Sequence, residues 1–347
     1  MIGTAAVRAR GVTLLDVHNV GAGGLVFRFH AVIARIAKRF GADFARSWTR
    51  ALIEFKHTID EARLLSAIAS GNRAQVEAVV YPHALQLQLQ RAMRDPLLRA
   101  MQAAGQASVQ FLAGHGVQAT FNAVHPNVVL YAQTRSAELV TSVTEDVRET
   151  LRLITAYGAS GRATVVEQAR MIREVIGLPR NWALAPLRFG DELRAAARTG
   201  EIGTLGRRLS GADMVKVRAA IEGGTADSAF IQEMEATYAE RLINLRAETI
   251  ARTESLAAST RGAQESWKQA ISDGSLPREV KQFWIVTPDD RLCPICIAIP
   301  DMNPDGVGVG EDFDTPEGPV DAPPAPHPNC RCSLGLVLPG ATNPEEA

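Results

Sequence analysis

Apolar positions recur at helical spacing along most of this chain and alternate like a strand only near its end. Over residues 31–70, Ile33, Ile36, Phe40, Phe44 and Trp48 fall every three to four positions, predicting a helix stopped by Gly71-Asn72. A second helical stretch covers about 73–113, with Pro82 and Pro96 setting a start or a kink. Gly114-His115-Gly116 and His125-Pro126-Asn127 read as punctuation, and helical spacing returns over about 134–156 and 162–177. Residues 179–228 are short pieces broken by Gly200, Gly203, Gly206, Gly211 and Gly223-Gly224. From Asp227 a long amphipathic run begins. It carries Phe230, Met234, Tyr238, Leu242, Leu245, Thr249, Leu256, Ala263 and Trp267 on one stripe and stops near Asp273-Gly274. Gln282 to Thr287 and Ser333 to Leu338 then read as strands. The Pro-, Gly- and Asp-rich chain between them predicts a long loop with no regular element, and a loop of that length needs something to tie it down.

The fold expected is mainly α. It is an extended helical N-terminal body followed by a small α+β C-terminal domain, with divisions at 1–130, 131–226 and 227–347. Composition agrees: 46% of the 347 residues are hydrophobic, ordinary for a globular chain and too high for wholesale disorder. No run approaches the roughly 20 apolar residues of a membrane span, and no secretory signal is visible, so no membrane partner is expected. The net charge of −1 conceals an asymmetry. From Pro288 onward eleven acidic residues face two basic ones, about −9, which leaves the preceding body about +8. A basic body suits an acidic partner or nucleic acid. A solvated helical surface explains it more simply, because no dense basic run with interleaved aromatics occurs.

All four cysteines lie between 293 and 332, as Cys293-Pro-Ile-Cys296 and His327-Pro-Asn-Cys330-Arg-Cys332. A Cys-x-x-Cys turn presents two thiolates to one side of a tetrahedral ion, and a second cluster returning after a loop supplies the rest. Zinc binding would supply the free energy that this polar loop lacks for ordering itself. Five candidate donors compete for four places. Cys293 and Cys296 form the firm pair, and Cys330 is joined by either Cys332 or His327. If the final strand starts at Arg331, two-residue alternation turns Cys330 and Cys332 the same way, which favours four sulfurs with His327 as alternate or supporting group. Four protein ligands leave no open position, so the zinc expected is structural. Two disulfides pinning the same loop are the alternative. They require an oxidising compartment.

Several strings in this region resemble one family. Arg252-Thr253-Glu254 lies in the long helix, followed by Trp267, Phe283-Trp284, Asp290-x-x-Cys293-x-x-Cys296, Asp305-Gly306, Phe313 and the closing His327-Pro-Asn-Cys330-Arg-Cys332. Together they resemble the phage Mu F-like minor head proteins, the head morphogenesis family of tailed phages and prophages. The resemblance covers about residues 227–338, with Met171–Leu178 and the helices after it looking like the family's helical lead-in. Ile297 to Asp305 departs from the pattern, being longer and Pro-containing where many members turn directly. The resemblance implies a structural protein of the virion, acting in head assembly at the portal vertex or procapsid interior. The partners it implies are portal protein and other capsid or scaffold proteins, with packaged DNA as a further candidate.

No enzyme and no small-molecule substrate are expected. A zinc-containing nucleic-acid-binding protein or an HNH-like nuclease is the alternative, since such nucleases also pair Cys clusters with a functional His. Only fifteen residues follow Cys332, leaving no room for the helix that completes such a nuclease site. Gly21-Ala-Gly-Gly24 lacks the strand-to-helix context of a nucleotide-binding loop. The pairs Asp289-Asp290 and Asp312/Asp314 read as a solvated acidic loop before a hard-cation site. His18, His30, His57, His83, His115 and His125 are scattered and read as surface or core residues. Arg252 and Glu254 are expected to hold the long helix against the small sheet through charge-assisted hydrogen bonds.

Overall fold

The computed structural model describes residues 24–27, 30–81, 83–203, 205, 208–287, 292–324 and 327–339. Side chains are described from residue 31 and as far as residue 337. Pro82, Gly206, Asp289-Asp290 and His18, singled out above, lie outside that set, as do Gly21 to Gly23.

The elements run β1 Gly24–Phe27, α1 His30–Thr58, α2 Glu61–Ala69, α3 Arg73–Val80, α4 His83–Ala113, α5 Pro126–Ala159, α6 Val165–Val175, α7 Arg180–Ala183, α8 Ala185–Thr199, α9 Gly211–Glu222, α10 Ser228–Ser272, β2 Lys281–Ile285, α11 Pro294–Met302, β3 Val307–Gly308 and β4 Ser333–Pro339. This is the mainly α fold with a small sheet that the periodicity predicts. Its divisions have local causes. The expected helix over 31–70 is two, because Asp60 in extended conformation accepts from Arg63 N (3.0 Å) and restarts the chain as an N-cap. Asn72 does the same for α3 through Gln75 N (3.2 Å), and Thr164 with Glu167 forms a reciprocal capping box on α6. Helix α5 begins eight residues earlier than the apolar spacing suggests, at Pro126, whose fixed φ and missing N–H suit a first helical position.

Two compact units emerge. One takes residues 1–44, 93–135 and 249–347, the other 45–92 and 136–248. In the second, Phe189, Leu193, Leu209, Val217, Ile231 and Met234 form a core beside a buried carboxylate. Glu235 accepts from Arg170 (2.7 Å) and Arg194 (3.0 Å), which offsets the cost of burying it.

The first unit holds the sheet, in the order β1-β4-β2-β3, with all pairs antiparallel. β2 lies along β4 from Lys281↔Val337 to Ile285↔Ser333, and β1 flanks β4 from Gly24↔Pro339 to Phe27↔Leu336. β1 was not expected; it starts at Gly24, so that glycine opens a strand and does not lie between a strand and a helix as in a nucleotide-binding loop. Four apolar-tending residues are too few to show a period of two. The unit's core joins Ile33 and Ala37 of α1, Ala104 and Leu112 of α4, Leu256, Ala263 and Trp267 of α10, and Trp284, Leu334 and Leu336 of the sheet.

Helix α10 is the continuous element predicted from Asp227, with Asp227 Oδ1 accepting from Phe230 N (2.9 Å) at its start. Met234, Leu256, Ala263 and Trp267 of the expected stripe are buried, but Leu245 is 48% exposed, and small residues outside that stripe, Ala247, Ala251, Ser255, Ala258, Ser259 and Ser266, are buried as well. Small residues let other backbones approach. A Cβ added to Gly262 would come within 2.2 Å of Met101 O on α4.

Candidate metal centre

The long connection between β2 and β4 contains a helix that the sequence reading did not give it. Cys293 is extended at φ −85° and ψ 156°, and its sulfur accepts from Cys296 N at 3.3 Å, so the first cysteine is the N-cap of α11. Pro294 fits the first turn, where no donor is required. The Cys-x-x-Cys string therefore starts a helix, and the longer passage from Ile297 to Asp305 is mostly that helix and its exit. Beyond it, Phe313 pairs with Val320 in an isolated bridge and packs edge-on against Trp284 at 5.5 Å.

At the other end of the connection, His327 to Cys332 folds back onto the same place. Asn329 adopts φ 62°, the left-handed conformation Asn tolerates better than most residues, and this turns the chain between His327 and Cys330. β4 begins at Ser333, two residues later than the strand start considered above, yet Cys330 and Cys332 are both buried around a half-buried Arg331. His327 Nδ1 lies 2.9 Å from Pro328 O. A carbonyl can only accept, so Nδ1 carries the proton, and Nε2 of the neutral ring presents a lone pair.

That lone pair faces two sulfurs. His327 Nε2 is 2.9 Å from Cys293 Sγ and 3.2 Å from Cys296 Sγ, while Cys296 Sγ is 3.7 Å from Cys330 Sγ. Cys293, Cys296 and His327 form one group with donor atoms mutually within 4.8 Å, and Cys296, Cys330 and Cys332 form another. All five candidates thus meet in one place, with Cys296 common to both groups, and all five line one small cavity. None of the four is in a disulfide.

The residues fit a tetrahedral ion of the zinc type. With a metal–sulfur length near 2.3 Å, two tetrahedral thiolates stand about 3.8 Å apart, close to the Cys296–Cys330 separation. The titration behaviour supports the same point. Burial, and then the neighbouring Cys332 thiolate, push the Cys296 thiol well above its usual range. Cys330 is raised first by its hydrogen bond to Cys332 and next by burial. Cys332 is lowered to about 6, chiefly because Cys330 donates to its sulfur. The Trp284 indole N–H is near enough to favour that thiolate without being aligned for a hydrogen bond. Thiols crowded in this way share protons, and a divalent cation removes the conflict by favouring every thiolate at once.

Other residues singled out in the sequence fall elsewhere. Glu254 is buried and accepts from Arg135 Nε (2.7 Å) and Nη2 (2.8 Å) of α5, so it braces two helices and does not reach the sheet. Arg252 is exposed. The member of that string which meets the cysteine loop is Thr253, whose Oγ1 accepts from Asn329 N at 3.0 Å. Nothing in the spacing marks Thr253; only its place inside the string could have drawn attention to it. His57, His83 and His115 are exposed and His125 is half-buried, and none joins a metal-binding group among the described residues. Asp312 and Asp314 form no such group either.

A helix-and-sheet module closed by a Cys/His cluster able to hold a metal is the class that the fold and the site define. Within that class, residues 214–335 match the family described as Phage Mu protein F like protein. This region is Mu F-like, as the motif string from Arg252 to Cys332 indicates. No curated protein and no solved structure matches the chain. No described helix is long and apolar enough to cross a membrane.

Proposed function

We propose that this protein is a minor head component that acts structurally in head assembly, at the portal vertex or on the procapsid interior. The observation that carries the reading is the Mu F-like match over residues 214–335, which ends on the cysteine cluster itself. On this reading the partners are portal protein and other capsid or scaffold proteins, with packaged DNA as a further candidate. Residues 227–347 supply the head-morphogenesis part and 131–226 a helical lead-in, with 1–130 a helical N-terminal region to which no role is assigned. Purified virions or procapsids, examined by mass spectrometry, should contain the chain. Particles wholly free of it would overturn the assignment.

The metal expected is one structural zinc held by Cys293, Cys296 and Cys330 with Cys332 or His327. Four sulfurs remain our preferred set, with His327 beside them as the alternate. Elemental analysis of protein purified under reducing conditions should give about one zinc per chain, and no zinc in a folded protein would refute the site. Against a nuclease reading, His327 directs Nε2 at two thiols, which suits a ligand better than a group that works on phosphate. Metal-dependent DNA cleavage abolished by His327→Ala would reverse that ranking.

A further inference from the structure

Two threonines from separate elements grip the backbone on either side of Cys330. Thr253 on α10 takes the N–H of Asn329 at 3.0 Å, and its own hydroxyl donates back to Thr249 O at 3.1 Å. That second bond orients the oxygen lone pairs, so the acceptor is fixed by its own helix. After β2, Thr287 Oγ1 donates to Arg331 O at 2.6 Å. Thr287 also brings its backbone N–H to the Cys332 sulfur. The span between the two grips is the left-handed Asn329, Cys330 and Arg331, which is the turn that swings His327 and Cys330 toward Cys293 and Cys296.

We propose that Thr253 and Thr287 are positioning residues of the metal centre, holding the second half of the ligand set in place before an ion arrives. The proposal rests on the metal reading given above. Its physical basis is that a donor turn with a left-handed residue pays part of its ordering entropy in advance when both flanking backbone groups are bonded. Cys293 and Cys296 are placed by the N-terminus of α11, a regular element. The His327–Cys332 turn lacks any regular element of its own; its internal bonds, such as Cys332 N to Cys330 Sγ at 3.4 Å, shape it locally, and these two hydroxyls tie it to the rest of the fold. Long helix and metal loop are therefore joined through a hydrogen bond that touches no ligand atom, and Thr253 has a role distinct from that of the neighbouring Glu254.

The test uses the full-length chain and competition for zinc against a chromophoric chelator. Thr253→Val, which keeps the shape and removes the acceptor, should weaken zinc binding about 10–100-fold, whereas Thr253→Ser should bind nearly as well as the original. Thr287→Val should weaken it in the same direction. Cobalt substitution supplies a second readout: the visible d–d bands of a tetrahedral centre should shift or lose intensity in Thr253→Val and return in Thr253→Ser. Circular dichroism of the metal-free variants separates loss of fold from loss of site. An original protein that binds no metal removes the metal reading and this proposal with it. An original that binds tightly with Thr253→Val binding equally well, or with Thr253→Ser as weak as Val, overturns the positioning role alone.

Discussion

Lys56 shows how a single half-buried charge shapes this chain's response to pH. Its ammonium donates to Glu174 O at 2.9 Å, and burial lowers its pKa from 10.5 to about 8, against the opposing pull of Glu240 and Glu174. Between about 8 and 10.5 the unfolded chain keeps a proton that the folded chain has released. Stability therefore rises with pH across that window, and the penalty is fully present below it. Denaturant midpoints measured from pH 7 to 10.5 should climb more steeply for the original protein than for Lys56→Met, and equal slopes would show that the amine is not desolvated. The cysteines obey the same physics with a different outcome. Raised thiols at Cys296 and Cys330 must give up protons when an ion binds, so metal affinity falls as pH falls.

At the scale of elements, the small-residue stripe of α10 explains what bulky periodicity could not. Gly262→Ala would drive a methyl group into Met101 O, a backbone atom with no rotamer to yield. Urea unfolding should register a loss of about 1–3 kcal/mol, in line with other overpacked contacts. Long helices were legible in the sequence because many turns repeat the same spacing, which is why α10 and the two main strands stand where the pattern put them. The meeting of the five candidate donors was legible for a different reason, since Cys-x-x-Cys and His-x-x-Cys-x-Cys are short, rare strings. Short elements escaped. β1 has four residues and α11 nine, and α11 depends on a sulfur serving as its cap. Side-chain partners across the fold escaped as well: Glu254 chose Arg135, and Thr253 took the contact with the cysteine loop. Those choices are fixed by where helices cross, which one-dimensional spacing does not encode.

For the whole molecule, the boundary of the Mu F-like match and the boundary of the compact unit do not coincide. Residues 214–335 carry the motif, but the core behind Trp284, Cys296 and Cys330 also contains Ile33, Ala37, Ala104 and Leu112. Removing residues 1–29 takes away β1 and leaves one side of β4 without its partner. Hydrogen exchange should then show the alternate amides of β4 that point to β1 losing protection, while helices of the second unit keep theirs. Unchanged protection in β4 would mean that β1 adds nothing to the sheet. The pairing of Phe27 with Leu336 also sets a clock. A ribosome adding about 5–20 residues per second needs roughly 15–60 s to travel between those two positions. Throughout that interval the earliest strand has no mate, and the sulfur-bearing loop has not yet been made. Closure of the module is thus a late event in the life of each newly made molecule, and any surface that depends on it becomes available only after Cys332 and β4 have been synthesised.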